Sequence, residues 1–79
     1  MHDEKYERLI ACFRQVFPNM KPSDISLATQ ETVAAWDSIA HVTLLSLIGE
    51  KLGVDIDFEE FAEATSFAAI LELVRASAV

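Results

Sequence analysis

Over residues 3–17 apolar side chains return every three or four positions, at Tyr6, Leu9, Ile10, Phe13, Val16 and Phe17. That is the period of a helix with one face turned to a core. The pattern predicts a first helix over residues 3–17, with Asp3, Glu4 and Glu7 near its start, where carboxylates meet the positive end of the helix dipole. Pro18 and Pro22 stop it. A second periodic stretch covers residues 38–52, with Ile39, Val42, Leu45, Ile48 and Leu52 as one stripe and Leu44 and Leu47 widening it. Gly49 sits inside this helix, at about 1 kcal/mol relative to alanine, and Gly53 follows where a left-handed cap is favoured. Residues 58–64 predict a short third helix. Thr65 or Ser66 suits the N-cap of a fourth, which buries Phe67, Ile70, Leu71 and Val74 and ends near Ala76.

The connection over residues 18–37 is too long to lie structureless in a compact domain. Ile25, Leu27, Val33 and Trp36 are the expected pins that press it onto helical faces, and a short helical turn fits within it. Val54-Asp55-Ile56-Asp57 alternates apolar and acidic, but it is too short and isolated to pair as a strand. It reads as a connector with Val54 and Ile56 turned inward. The expected fold is all-α: a four-helix bundle with a long first loop and a short third helix, as one domain over residues 1–79.

Composition narrows the function. A 79-residue chain builds a modest core, and a deep active site would compete for the same residues, which argues against an enzyme. Six Lys and Arg against 13 Asp and Glu leave a formal charge of -7. Such a surface repels phosphate backbones and anionic lipid, so neither nucleic acid nor membrane is an expected partner. Basic patches on other proteins are. Residues 37–79 carry most of the excess, with eight carboxylates against two cations. Cys12 is the single cysteine, which rules out an internal disulfide and reads as a small hydrophobe within the first helix. The acidic opening Met1-His2-Asp3-Glu4 is unlike a secretory leader, and no apolar run reaches about 20 residues. A cytoplasmic location is expected.

The candidate chemistry centres on Ser38. It follows Trp36-Asp37 and opens the second helix. Asp and Ser are both strong N-cap residues, so the pair marks a helix start, an attachment point, or both. A capping box on Ser38 would want Glu or Gln at position 41, where His41 stands. An anionic group on Ser38 would lie beside the unpaired N–H groups of a helix N-terminus. A hydrolase built on Ser38 and His41, three residues apart, would still need an orienting group and an oxyanion hole. Asp37 is poorly placed to orient, and no glycine-rich loop is present. His41 is expected to be a solvated helix residue. The run Asp55, Asp57, Glu59, Glu60 does not meet the EF-hand rule, because the sixth and twelfth positions counted from Asp55 are Glu60 and Ser66. It reads as a solvated acidic face, and no metal site is expected.

Trp36-Asp37-Ser38-Ile39, the helix ending Glu50-Lys51-Leu52-Gly53-Val54, and Phe58-Glu59-Glu60 followed by Thr65-Ser66-Phe67 together resemble the acyl carrier protein family. The resemblance implies a bundle of acyl-carrier-protein type that catalyses nothing. It implies 4'-phosphopantetheine attached covalently to Ser38, with Asp37 part of the attachment motif. It further implies an acyl or aminoacyl cargo held as a thioester. The implied partners are a phosphopantetheinyl transferase, an acyl- or aminoacyl-loading ligase and downstream acyl-processing enzymes, all meeting a monomer. Trp36, Ile39, His41, Thr43, Glu59 and Glu60 are the candidate partner-binding residues, Trp36 being more readily read as a core pin. The chain departs from fatty-acid-synthesis carriers in Trp36, in Ile39 where those have Leu, and in a second helix whose outer positions are Ala40, Thr43, Ser46 and Gly49 rather than carboxylates. These departures suggest a specialised pathway and a neutral partner face around Ala40, Thr43 and Leu44. The other reading is a carrier-like helical interaction domain without a prosthetic group.

Overall fold

In the computed structural model, which describes residues 4–77, the first amphipathic stretch forms α1 (Glu4–Val16). Asp3, expected to open it, lies outside the described residues. Leu9, Cys12 and Phe13 line its buried face, while Glu4 and Glu7 occupy its first turn and Arg14 its last. The chain then enters the long connection, where α2 (Pro22–Ile25) forms a single helical turn. Pro22 stands at its first position, where the missing N–H is not needed. Ile25, Ala28 and Trp36 are buried and Val33 is partly so, which makes them the pins.

Leu27 is not a pin: it is 79% exposed. The turns that close α2, with Leu27 N–H on the Asp24 carbonyl and Ala28 N–H on that of Ile25, bring residues three apart to one side. Ile25 and Ala28 therefore share the inward side, and Leu27 is left in solvent. One antiparallel bridge, Thr29 with Ser66, fastens this connection to the far end of the chain. Gln30 N–H reaches the Thr65 carbonyl and Phe67 N–H the Ala28 carbonyl, both at 2.9 Å.

α3 (Ser38–Leu52) has the predicted bounds, and Leu44, Leu45, Leu47, Ile48 and Leu52 of the predicted stripe turn inward, but its N-terminal members do not. His41, Leu44, Leu45 and Ile48 are buried, whereas Ile39 is 79% and Val42 55% exposed. Apolar residues occur on every side of this helix, so spacing alone could not select which side faces inward. Packing against α1 did. The helix ends at Gly53, whose φ of 67° is the left-handed cap. Gly49 also has a structural reason: a Cβ there would lie 3.2 Å from Ile56 Cγ1. Its absence lets the connector after Gly53 lie against α3, with Val54 and Ile56 half-buried as expected.

α4 (Phe58–Ala62) is one short helix, two residues shorter than predicted. Its cap is Asp57, whose Oδ1 accepts from Glu59 N–H at 3.0 Å and Glu60 N–H at 3.4 Å. α5 (Phe67–Ser77) is capped by Ser66 rather than Thr65, through Ala69 N–H at 3.1 Å. It buries Phe67, Ile70, Leu71 and Val74. The core is centred on aromatic rings: Phe13 meets Trp36 edge-on at 5.3 Å and Phe67 at 5.2 Å. The fold is all-α, with the α2 turn added to the four expected helices.

Candidate functional site

Asp37 and Ser38 divide the start of α3 between them. Asp37 is extended (φ -94°, ψ -174°), its carboxylate accepts the Ala40 N–H at 2.8 Å, and its carbonyl takes the His41 N–H. It is therefore the cap. Ser38 is the first helical residue, exposed, and its hydroxyl makes no hydrogen bond among the described residues. Ser26 and Ser66 are engaged, the first donating to the Ser23 carbonyl and the second capping α5, whereas Ser23 and Ser46 are exposed like Ser38 but do not open a capped long helix. The N–H groups of Ser38 and Ile39 belong to the first turn and have no intrahelical acceptor, which suits an anionic substituent on Ser38.

His41 lies three residues on, but it is buried where Ser38 is exposed. It is 7% exposed, not solvated. Its Nδ1 accepts the indole N–H of Trp36 at 3.1 Å, and its Nε2 lies 2.9 Å from the carbonyl oxygen of Phe61. Only a neutral imidazole with its proton on Nε2 meets both partners. The ring also stacks on Trp36, with centroids 6.0 Å apart. Both ring nitrogens are thus committed, and His41 is available neither as a base for Ser38 nor as a surface contact. Trp36, 2% exposed, is likewise a core residue and is removed from the partner face. The tertiary reason is common to both: buried beside Phe13 and Phe17, the indole N–H needs an acceptor, and the imidazole provides one.

Ile39, Thr43, Glu59 and Glu60 are exposed as partner contacts require. Leu44, expected in the neutral face, is fully buried. Val42 stands outside in its place, one turn along from Ile39, and the half-exposed Phe58 opens α4. Periodicity had put Val42 in the core and gave no sign of exposure at Phe58. Cys12 is buried in α1, and burial pushes its thiol pKa up, partly offset by Lys51. Among the described residues no group of three or more His, Cys, Asp and Glu is placed to hold a metal ion. No described helix is long and apolar enough to cross a membrane.

Residues 7–74 match the family model described as phosphopantetheine attachment site. The chain belongs to that family. Its members carry 4'-phosphopantetheine covalently on a serine. No curated protein and no solved structure matches the chain. Within the family's requirement, Ser38 fits the group: it combines an unbonded, exposed hydroxyl with a helix N-terminus whose cap is a different residue.

Proposed function

We propose that this protein is a carrier, residues 1–79 forming one domain, that holds an acyl or aminoacyl group on a 4'-phosphopantetheine arm attached to Ser38. The observation that carries this reading is the unbonded, exposed Ser38 hydroxyl directly after the capping Asp37. In the attachment reaction Ser38 Oγ attacks the β-phosphorus of coenzyme A. The phosphoanhydride bond breaks, 3',5'-adenosine bisphosphate leaves, and the hydroxyl proton passes to a base of the transferase. This chain contributes the nucleophilic oxygen, the geometry set by Asp37, and first-turn N–H groups that favour the resulting phosphodiester. The base comes from the transferase, since both nitrogens of His41 are engaged within the core. When bound, the arm supplies a terminal thiol for a thioester.

A loading ligase and downstream acyl-processing enzymes are the further partners, reading Ile39 and Thr43 on α3 with Glu59 and Glu60 on α4. The outer face of α3 has Glu50 as its main acid and is otherwise neutral, unlike that of fatty-acid carriers, which supports a specialised pathway. The test is mass spectrometry of the apo protein after incubation with coenzyme A, magnesium and a broad-specificity phosphopantetheinyl transferase. The expected result is one phosphopantetheine increment, absent in Ser38→Ala and retained in Ser46→Ala. A folded protein left unmodified beside a fully converted control carrier would overturn the reading and leave an interaction domain.

A further inference from the structure

A histidine on the buried face of α3 needs a reason. An imidazole among Leu44, Leu45 and Phe61 loses hydration, and leucine would pack there without polar atoms to satisfy. The hydrogen bonds supply the reason. His41 lies between two pieces of backbone that are separate in sequence. One is the segment Trp36-Asp37-Ser38, reached through the indole N–H. The other is α4, reached through the carbonyl of Phe61, which also accepts the Ala64 N–H at 3.1 Å. Among the described residues the His41–Phe61 contact is the one hydrogen bond that ties α3 to α4. α4 has five residues, too few to be stable as an isolated helix, so its position depends on such tertiary ties. Phe61 directly follows Glu59 and Glu60, and His41 follows Ser38 by one helical turn. The placement of the acidic pair relative to the attachment serine therefore depends on this imidazole together with the burial of the Phe61 ring in the core.

We propose that His41 is a positioning residue for the modification of Ser38: its neutral imidazole joins Trp36 to α4, so that the serine and the acidic pair reach the transferase as one preassembled surface. The inference rests on the carrier reading above. Recognition of two elements at once loses less entropy when they are already fixed relative to each other. The chemical step on Ser38 is untouched, because both ring nitrogens are bonded within the core. The effect belongs in KM for the carrier and not in kcat.

The experiment measures transferase kinetics with apo wild-type protein, His41→Leu, His41→Asn, His41→Gln and Trp36→Phe as substrates, each checked for helical circular dichroism. His41→Leu is expected to raise KM by roughly fivefold or more, with kcat within about twofold of wild type. In His41→Asn the amide oxygen can take the indole N–H. In His41→Gln the amide nitrogen can reach the Phe61 carbonyl. Each should recover part of the loss. Trp36→Phe keeps an aromatic ring while removing the donor and part of the indole's volume, so with its fold checked it decides the matter if His41→Leu fails to fold. Unchanged KM in a folded His41→Leu or Trp36→Phe would overturn the proposal, as would a fall in kcat at constant KM. Failure of the carrier reading is separable, since wild-type protein would then go unmodified. The clamp itself is read independently by nitrogen NMR of the unmodified protein. Nδ1 should appear unprotonated and Nε2 protonated, and the Trp36 indole N–H should exchange slowly; a fast-exchanging indole with averaged ring nitrogens would refute the clamp.

Discussion

The Asp37 carboxylate takes the Ala40 N–H at 2.8 Å, which leaves the Ser38 hydroxyl with no capping role. Two adjacent substitutions should therefore separate stability from function. Asp37→Ala is expected to lower stability by about 1 kcal/mol, a fall in Tm of roughly 4–8 °C for a domain of this size. Ser38→Ala should stay within about 0.5 kcal/mol of wild type while abolishing modification. Thermal unfolding followed by circular dichroism checks both, and equal losses would mean that Ser38 shares the cap. Cys12 gives a second residue-scale prediction. Burial raises its pKa in the folded state, so folding favours the protonated thiol. Its contribution is complete below the unfolded thiol value of about 8.5 and is lost as pH rises through the higher folded value. Wild-type stability should thus fall more steeply than that of Cys12→Ala above about pH 8.5. Parallel denaturant titrations across that range would measure the difference, and identical slopes would count against a buried thiol.

At the scale of the element, α3 carries two apolar populations with opposite roles. Leu45 is buried against the core, and Leu45→Ala should cost about 2–5 kcal/mol through the cavity it leaves. Ile39 and Val42 face solvent, and truncating either to alanine should change stability by no more than about 0.5 kcal/mol. The same two truncations should weaken binding to enzymes that approach Ser38. Urea unfolding and a partner-binding titration on one set of variants test both halves. The reverse pattern, a destabilised Ile39→Ala with a tolerated Leu45→Ala, would show that α3 is rotated from the orientation described. At the C-terminal end, Gly53 has a φ of 67° with open space around it, so Gly53→Ala meets only backbone strain, about 1 kcal/mol.

For the whole molecule, the acidic charge and Ser38 lie in the same half of the sequence but on different elements. Carboxylates are concentrated on the connector and α4, at Asp55, Asp57, Glu59, Glu60 and Glu63, whereas the outer face of α3 near Ser38 is neutral and apolar. Partner association should then combine a modest electrostatic attraction with apolar contact at Ile39 and Val42. Screening weakens the first and leaves the second. The dissociation constant for a partner enzyme is expected to change by less than about tenfold between 50 mM and 500 mM salt. A steeper loss would place the main contact on the carboxylates.

Local chemistry was readable from the chain, and mutual placement was not. Asp37 before an apolar run, Gly53 after it and Ser66 before the last helix mark helix ends because capping depends on neighbours within a turn or two. The all-α architecture, the bounds of α3 and the serine at its first position followed from the same short-range rules. The exposure of Ile39 and Val42 on α3 and the inward turn of His41 did not. Each is settled by contacts between residues distant in sequence: α1 against α3, and an imidazole bonded to the carbonyl of Phe61 twenty positions on. Where apolar residues surround a helix, spacing permits several inward faces, and only the shape of the assembled core selects among them.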